Sequence, residues 1–431
     1  MDKLSQRLSN LSPEQRELLE LRLKKMGRDN LLSSPATLED APPVSLEEEA
    51  GREAEEVYGV DQEVERARRE MQFSLFFFSS DGLNASENKY RLLIESAKFA
   101  DEHGFTAIWT PERHFQKFGG LYPNPSVLSA ALAVLTKQIQ IRAGSIVLPL
   151  HNPIRVAEDW AIIDNLSGGR VGISCASGWH TTDFALAPDA YDNRKELMFS
   201  HLATIRKLWK GEAVKCAGVA GKEVEVTILP RPLQAELPVW ITSSGSRRTW
   251  VAAGETGSNV LATLGQTVDE VAAQIALYRE ARANHGHDPQ AGQVTLMLHT
   301  FLGESNETVK EQVRAPLYDY LRSFIGQHED LTKGINVDIK QISEADRDAL
   351  IAVAFDRYFK TGSLLGTPDK CALMVERLRD IGVDEIACLI DFGLDVETVM
   401  EGLRYLNELK ELYAPVAARE AHTHWRHGEA S

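Results

Sequence analysis

Short apolar runs alternate with longer amphipathic stretches along most of this chain, beginning at Met71. Residues 73–78 are a mostly apolar run of strand length, and residues 89–102 repeat their apolar positions at a helical period. The same pair of patterns recurs. Strand-like runs occupy residues 107–109, 139–148, 171–175, 238–242, 259–262, 294–302 and 385–391, and helical periodicity covers residues 125–136, 154–166 and 196–209. Eight strands separated mostly by helices predict an α/β protein built as a (β/α)8 TIM barrel, with an open doubly wound sheet as the competing architecture. Residues 303–367 are too many for one crossover and predict an insertion between strands 7 and 8 with helices of its own. The barrel is thus expected over residues 71–415, with residues 416–431 as a C-terminal tail.

The first 70 residues have a different texture. Leu11-Ser12-Pro13-Glu14 places a capping serine and an early helical proline ahead of Leu18, Leu19, Leu21 and Leu23, which predicts a short amphipathic helix ending near Gly27. A linker with Ser and Pro follows, and then an acidic, helix-like run over residues 46–70. So little apolar surface predicts an N-terminal helical appendage or docking segment over residues 1–70, or a poorly ordered tail, rather than a second core.

Composition narrows the function classes. The chain has 431 residues, 43% of them hydrophobic and 26% charged, as in a soluble globular protein. A net charge of −16 argues against nucleic acid or an anionic membrane as partner. No run approaches the ~20 apolar residues that span a bilayer, and no basic-then-apolar leader pattern opens the sequence, so a cytoplasmic location is expected. The four cysteines (Cys175, Cys216, Cys371 and Cys388) are scattered without CxxC pairing, which argues against a disulfide framework or a zinc site.

Candidate chemistry lies where barrel strands end. After the second strand, Glu112-Arg113-His114 places an acid, a fixed cation and an imidazole together, suited to proton transfer or to holding a developing anion. A local Glu112–Arg113 ion pair with a packed His114 is the alternative. After the third strand, His151 in Pro149-Leu150-His151-Asn152-Pro153 either faces the pocket or caps the next helix. Gly168-Gly169 predicts a helix C-cap. After the fourth strand, Ala176-Ser177-Gly178-Trp179-His180 has small side chains that let a flat ring system approach the backbone. Arg194 offers a fork of donors suited to phosphate. After the fifth strand, Ser243-Ser244-Gly245-Ser246-Arg247-Arg248 leads into a helix; it predicts a phosphate site, with an ordinary N-cap and solvated arginines as the alternative. No GxGxxG follows a strand, no Walker-type lysine loop occurs, and neither HExxH nor a paired Cys–His spacing predicts a metal.

Four ordered motifs give this chain a family resemblance. Ala107-Ile108-Trp109-Thr110-Pro111-Glu112-Arg113-His114-Phe115, Leu148-Pro149-Leu150-His151-Asn152-Pro153, Asp164-Asn165-Leu166-Ser167-Gly168-Gly169-Arg170 and Pro238-Val239-Trp240-Ile241-Thr242-Ser243-Ser244-Gly245 stand in the order of the bacterial luciferase-like flavin-dependent monooxygenases. The resemblance covers residues 71–264 and resumes over 366–392. Within the family, Gly119-Gly120-Leu121-Tyr122-Pro123-Asn124-Pro125, Ala176-Ser177-Gly178-Trp179-His180 and Met297-Leu298-His299-Thr300-Phe301 are similar to the subgroup of nonribosomal peptide and polyketide biosynthesis. Residues 11–16 resemble linker helices of those assembly lines.

The resemblance implies a TIM barrel and reduced FMN, supplied by a separate NAD(P)H-dependent reductase. It further implies O2 as co-substrate, a flavin C4a-peroxide as oxidant, and a natural-product intermediate as substrate, such as an acyl or aminoacyl group on a carrier protein. An assembly-line partner would then dock through residues 1–70, and a homodimer is a common state in the family. By motif, His114 matches the second histidine of the luciferase Glu-His-His motif, whereas the first, considered the catalytic one, is replaced by Arg113. Glu112, Arg113 and His114 are therefore the candidate catalytic residues. Gly144 and Ser145 fall where family members can carry a non-prolyl cis peptide beside the flavin, and Ala176 and Ser177 fall along the ring and phosphate edge. Arg194 matches a phosphate arginine, and Ser244, Gly245, Ser246 and Arg248 lie in the phosphate loop, Arg248 replacing the cation lost at Ser177. Trp179, His180 and His299 are the candidate substrate-pocket residues. A deazaflavin-dependent oxidoreductase, and a flavin-binding docking protein without turnover, are the alternative functions.

Overall fold

Strands covered on both faces need nearly continuous apolar sequence, which these segments have. The computed structural model describes residues 71–78, 88–264, 267–327 and 344–414. Its barrel strands are β1 (Gln72–Phe76), β2 (Ala107–Thr110), β3 (Gln140–Val147) and β4 (Val171–Ala176), followed by β5 (Val239–Ser243), β6 (Asn259–Thr263), β7 (Val294–Leu302) and β8 (Glu385–Leu389). Each pairs in parallel with the next, and β8 pairs with β1 and with β7, so the ring closes. This is the barrel expected from the alternation, not the open sheet.

Helices α1 (Arg91–Glu102), α2 (Pro125–Leu135), α3 (Pro153–Ser167), α4 (Arg194–Lys210), α5 (Arg247–Glu255) and α6 (Val268–Asn284) connect successive strands. Local sequence fixes their ends. The Asn124 and Asn152 side chains accept from the amides of Val127 and Ile154, each ahead of a proline in the first turn. Gly168 ends α3 in the left-handed conformation at φ 73°, the C-cap anticipated from its sequence. Between β7 and β8 lie α7 (Asn306–Gln327), α8 (Glu344–Thr361), a short strand at Leu364–Gly366 paired with β7, and α9 (Pro368–Asp380). Helix α10 (Val396–Glu411) follows β8. Among the described residues no helix is long and apolar enough to cross a membrane.

The chain divides into two units, residues 1–69 with 325–353 and residues 70–324 with 354–431; the second carries the barrel. The expected helix before Gly27, the acidic run over 46–70 and the tail over 416–431 lie outside the described residues.

One feature departs from the sequence expectation, and another agrees with the cis peptide that the resemblance allows at Gly144–Ser145. An antiparallel hairpin pairs Val214–Ala217 with Glu223–Val226 outside the barrel, where no strands were expected. In β3, Gly144 stands opposite Ser174 and Ile146 opposite Cys175, so Ser145 is an extra residue at an irregularity. The Gly144–Ser145 peptide is cis. A Cβ at position 144 would lie 2.8 Å from Phe76 and 3.0 Å from Trp109, so only glycine fits there.

Candidate functional site

The acid at the end of β2 ties that strand to the end of β3 and to the turn beyond it. Glu112 has a fully buried side chain whose Oε1 accepts from His114 Nε2 at 2.9 Å and from His151 Nε2 at 2.6 Å. Its Oε2 accepts from the Val147 amide at 2.7 Å. Burial would push this carboxyl up, but the hydrogen bonds from His114 and His151, with the Val147 amide, outweigh it and hold the group below the usual carboxylate range. An ionised carboxylate only accepts, so both imidazoles carry their proton on Nε2. Burial pulls His151 down, but the Glu112 bond and charge prevail and its pKa is raised. His151 thus faces Glu112, while the adjacent Asn152 caps α3.

Arg113 turns the other way. It forms a buried ion pair with Asp183, seventy residues on, and its guanidinium lies 4.8 Å from the centre of the Trp179 ring. Its amide donates to the Tyr122 carbonyl at 2.9 Å. Gly119, at φ 78°, lies so close that a Cβ there would meet Arg113 Cγ at 2.8 Å. Burial outweighs mutual attraction for both partners: it raises the Asp183 pKa and lowers that of Arg113. The local Glu112–Arg113 pair that adjacency allowed does not form. Each has recruited its own partners, Glu112 from the end of β3 and the turn beyond it, and Arg113 from beyond β4.

The ends of β3, β4 and β5 are neighbours in the sheet and carry small and hydroxylated residues. Gly144 is buried, Ser145, Ala176 and Ser177 are partly exposed, and Ser174 shares a 2.6 Å hydrogen bond with Thr242. Beyond β5, Gly245 at φ 115° leads to Ser246, the N-cap of α5, which makes no side-chain capping bond. Ser244, Ser246, Arg247 and Arg248 are exposed. First-turn amides without a cap, hydroxyls and guanidinium groups are the donor set a phosphate takes. Arg194 opens α4. Its Nη1 donates to the Tyr191 carbonyl at 2.7 Å and its Nε to that of Gly178 at 3.3 Å, which leaves Nη2 without an acceptor among the described residues.

The opposite side of the mouth, at β7, β8 and β1, is aromatic. His299 is 6% exposed and meets Tyr320, Tyr358 and Phe392 edge-on, with ring centres at 4.7, 5.4 and 5.7 Å. Burial pulls its pKa down to about 3, so the ring is neutral. Tyr320 also packs on Phe118. Asp391 accepts from the Phe78 amide at 2.7 Å and from the Tyr122 hydroxyl at 2.9 Å. Trp179, 44% exposed, covers Arg113, and His180 Nδ1 accepts from the Thr182 amide at 3.3 Å.

The structure therefore joins Glu112 to His114 and places Gly144, Ser145, Ala176, Ser177, Ser244, Gly245, Ser246 and Arg248 along adjacent strand ends. It turns Arg113 away from Glu112 and toward Asp183. Asp183, Tyr122 and Asp391 enter the site from outside the set expected from sequence, and His151 takes the pocket-facing of its two expected roles. His151 had a signal, a histidine in a proline-bounded turn after a strand; Asp183 had none.

A model of the luciferase-like monooxygenase family matches residues 71–385. The oxygenase component of a flavin-dependent trigonelline monooxygenase from Acinetobacter baylyi is 25% identical over 355 residues, 80% of this chain and 96% of that protein. Among solved structures, the monooxygenase RslO1 from Streptomyces bottropensis superposes with a TM-score of 0.67 at 21% identity, covering 78% of this chain and 98% of its own. The oxygenating constituent of 3,6-diketocamphane monooxygenase from Pseudomonas putida, a type II Baeyer–Villiger enzyme solved with FMN, gives 0.61 at 19% identity, with 78% and 97% covered. Both superpositions agree with the barrel described above.

Proposed function

This chain belongs to the luciferase-like monooxygenase family, and from that premise we propose that it is the oxygenase of a two-component system. It takes reduced FMN from a separate NAD(P)H-dependent reductase in the cytoplasm and uses O2 to oxidise an acyl or aminoacyl group held on a carrier protein. The observation that supports this most is the division of the barrel mouth. Hydroxyls, uncapped amides and arginines occupy one side, aromatic rings the other, and the Glu112 cluster holds the end of β2 to that of β3.

The donor set after β5 fits the FMN phosphate: the α5 amides, Ser244, Ser246 and Arg248 would hold it, with Arg194 adding a donor from Nη2. Gly144, Ser145, Ala176 and Ser177 offer a low wall for the ring system. When bound, reduced FMN supplies two electrons to O2, so that one oxygen atom enters the substrate and the other leaves as water. The protein's own groups hold and move protons around that event. The neutral form of His114, fixed with its proton on Nε2 by Glu112, keeps Nδ1 as the atom that accepts one. The Arg113–Asp183 pair, with Trp179 above it, ties the loop after β4 to the loop after β2.

The motifs at residues 119–125, 176–180 and 297–301 support an assembly-line substrate, and residues 1–70 are assigned to docking its carrier. The test is a reaction with FMN, a flavin reductase, NADH and ¹⁸O2 on a panel of acyl and aminoacyl carrier proteins, read by mass spectrometry of the released acyl group. Gain of one labelled oxygen atom is expected. Flavin oxidation that yields only hydrogen peroxide across the panel, or hydride transfer with a deazaflavin in its place, contradicts the proposal.

A further inference from the structure

The aromatic side of the mouth holds one polar atom that nothing around it satisfies. His299 Nε2 is buried and has no hydrogen-bond partner among the described residues. Folded chains pair nearly all such atoms, because water lost on burial has to be replaced. Protonation brings no relief, since burial keeps the imidazole neutral far below physiological pH. The rings of Tyr320, Tyr358 and Phe392 enclose it edge-on at 84°, 88° and 69°. The nearby Tyr320 hydroxyl also stays neutral: burial, and then the Asp391 charge, push its pKa well up. Asp391, on the same wall, accepts from the Phe78 amide and the Tyr122 hydroxyl. What remains suits a flat, uncharged group bearing one polar atom.

We infer that His299 is a specificity-determining residue, whose Nε2 pairs with a single hydroxyl or carbonyl oxygen on a planar, uncharged part of the oxygenation substrate. The rings of Tyr320, Tyr358 and Phe392 pack against that same planar group. The inference rests on the oxygenase function proposed above and adds to it a substrate class: aromatic or conjugated groups carrying one hydrogen-bonding oxygen. A site built to pair with a substrate hydroxyl discriminates strongly against the analogue lacking it, because its own polar atom is then left unpaired.

Two probes of nearly equal shape, p-cresol and toluene, separate pairing from packing. In the full-length protein loaded with FMN, the ¹⁵N resonance of His299 Nε2 should shift on addition of p-cresol and stay in place with toluene. His299→Phe should weaken p-cresol at least about tenfold, the loss of one hydrogen bond, and change toluene less than about twofold. His299→Asn, which restores a donor and an acceptor, should recover part of the p-cresol affinity. An unmoved Nε2 resonance, equal p-cresol affinity in wild type and His299→Phe, or no p-cresol binding up to its solubility limit overturns the inference. Flavin fluorescence in the same samples keeps the two proposals apart. FMN that fails to bind contradicts the oxygenase function, whereas bound FMN with an indifferent His299 removes this inference alone.

Discussion

The barrel buries polar groups at both ends, and the two ends differ in whether every buried polar atom is satisfied. At the lower end, Arg142 pairs with Glu385 at 2.7 Å, with its guanidinium 4.8 Å from the Trp109 ring and 4.3 Å from that of Trp240. Trp109 Nε1 donates to Ser74 Oγ at 2.9 Å and to Glu385 at 3.1 Å, Trp240 Nε1 to Thr295 Oγ1 at 3.2 Å, and Gln293 Nε2 to Glu385 at 3.0 Å. No buried polar side-chain atom of this cluster lacks a partner. At the upper end, Thr110 Oγ1, Asp183 Oδ1 and His299 Nε2 all do. A closed network specifies packing, while an open one is poised to bind; both come from the same strands a few residues apart.

Substitutions should separate the two ends. The largest effect is expected from Glu112→Gln, which removes the charge that orients two imidazoles: kcat/KM should fall about 10²- to 10⁴-fold, with FMN affinity nearly unchanged in a fluorescence titration. Arg142→Met should do the reverse. Leaving Glu385 buried without its cation should cost about 3–5 kcal/mol in chemical denaturation, while turnover per folded molecule is retained. A large loss of turnover in Arg142→Met at full stability would erase the distinction between the ends. Next comes the double substitution Arg194→Ala with Arg248→Ala. Each charge-assisted phosphate contact contributes about 1.5–3 kcal/mol, so loss of both should weaken FMN binding at least about a hundredfold, and unchanged affinity removes the phosphate assignment.

The smallest effect is one of pH. His151 is raised above 6.5, so its contact with Glu112 contributes stability in full below pH 6.5, and the contribution fades as pH rises through the folded value. Glu112 is held below 4.5, so its contribution is present above pH 4.5 and is lost as pH falls through its lower, folded value. The contact therefore stabilises most between those limits. His151→Gln should flatten the upper limb of the stability–pH curve by less than about 1 kcal/mol, measured by urea unfolding at a series of pH values.

The barrel was legible in the sequence because apolar strand runs and caps such as Asn152-Pro153 and Gly168-Gly169 are local signals. The hairpin at 214–226 was not, because Val214–Ala217 and Glu223–Val226 are short and mostly exposed, with too little apolar sequence to mark a strand. The site was legible in its strand-end loops and opaque in its pairings. Glu112, Arg113 and His114 are consecutive, yet the first and third side chains meet while the one between them pairs elsewhere. Arg113 finds its acid seventy residues away, a distance no spacing rule covers. Arg194 was recognisable as a phosphate cation, but two carbonyls already hold part of its fork, which only the fold reveals.

The most direct test is a crystal structure of the protein with FMN. The phosphate should lie against the α5 amides, Ser244, Ser246 and Arg248, and the tricyclic ring against Gly144, Ser145 and Ala176, with the Glu112–His114 pair alongside. A mouth filled by the protein's own side chains, or a phosphate bound away from α5, would contradict the account.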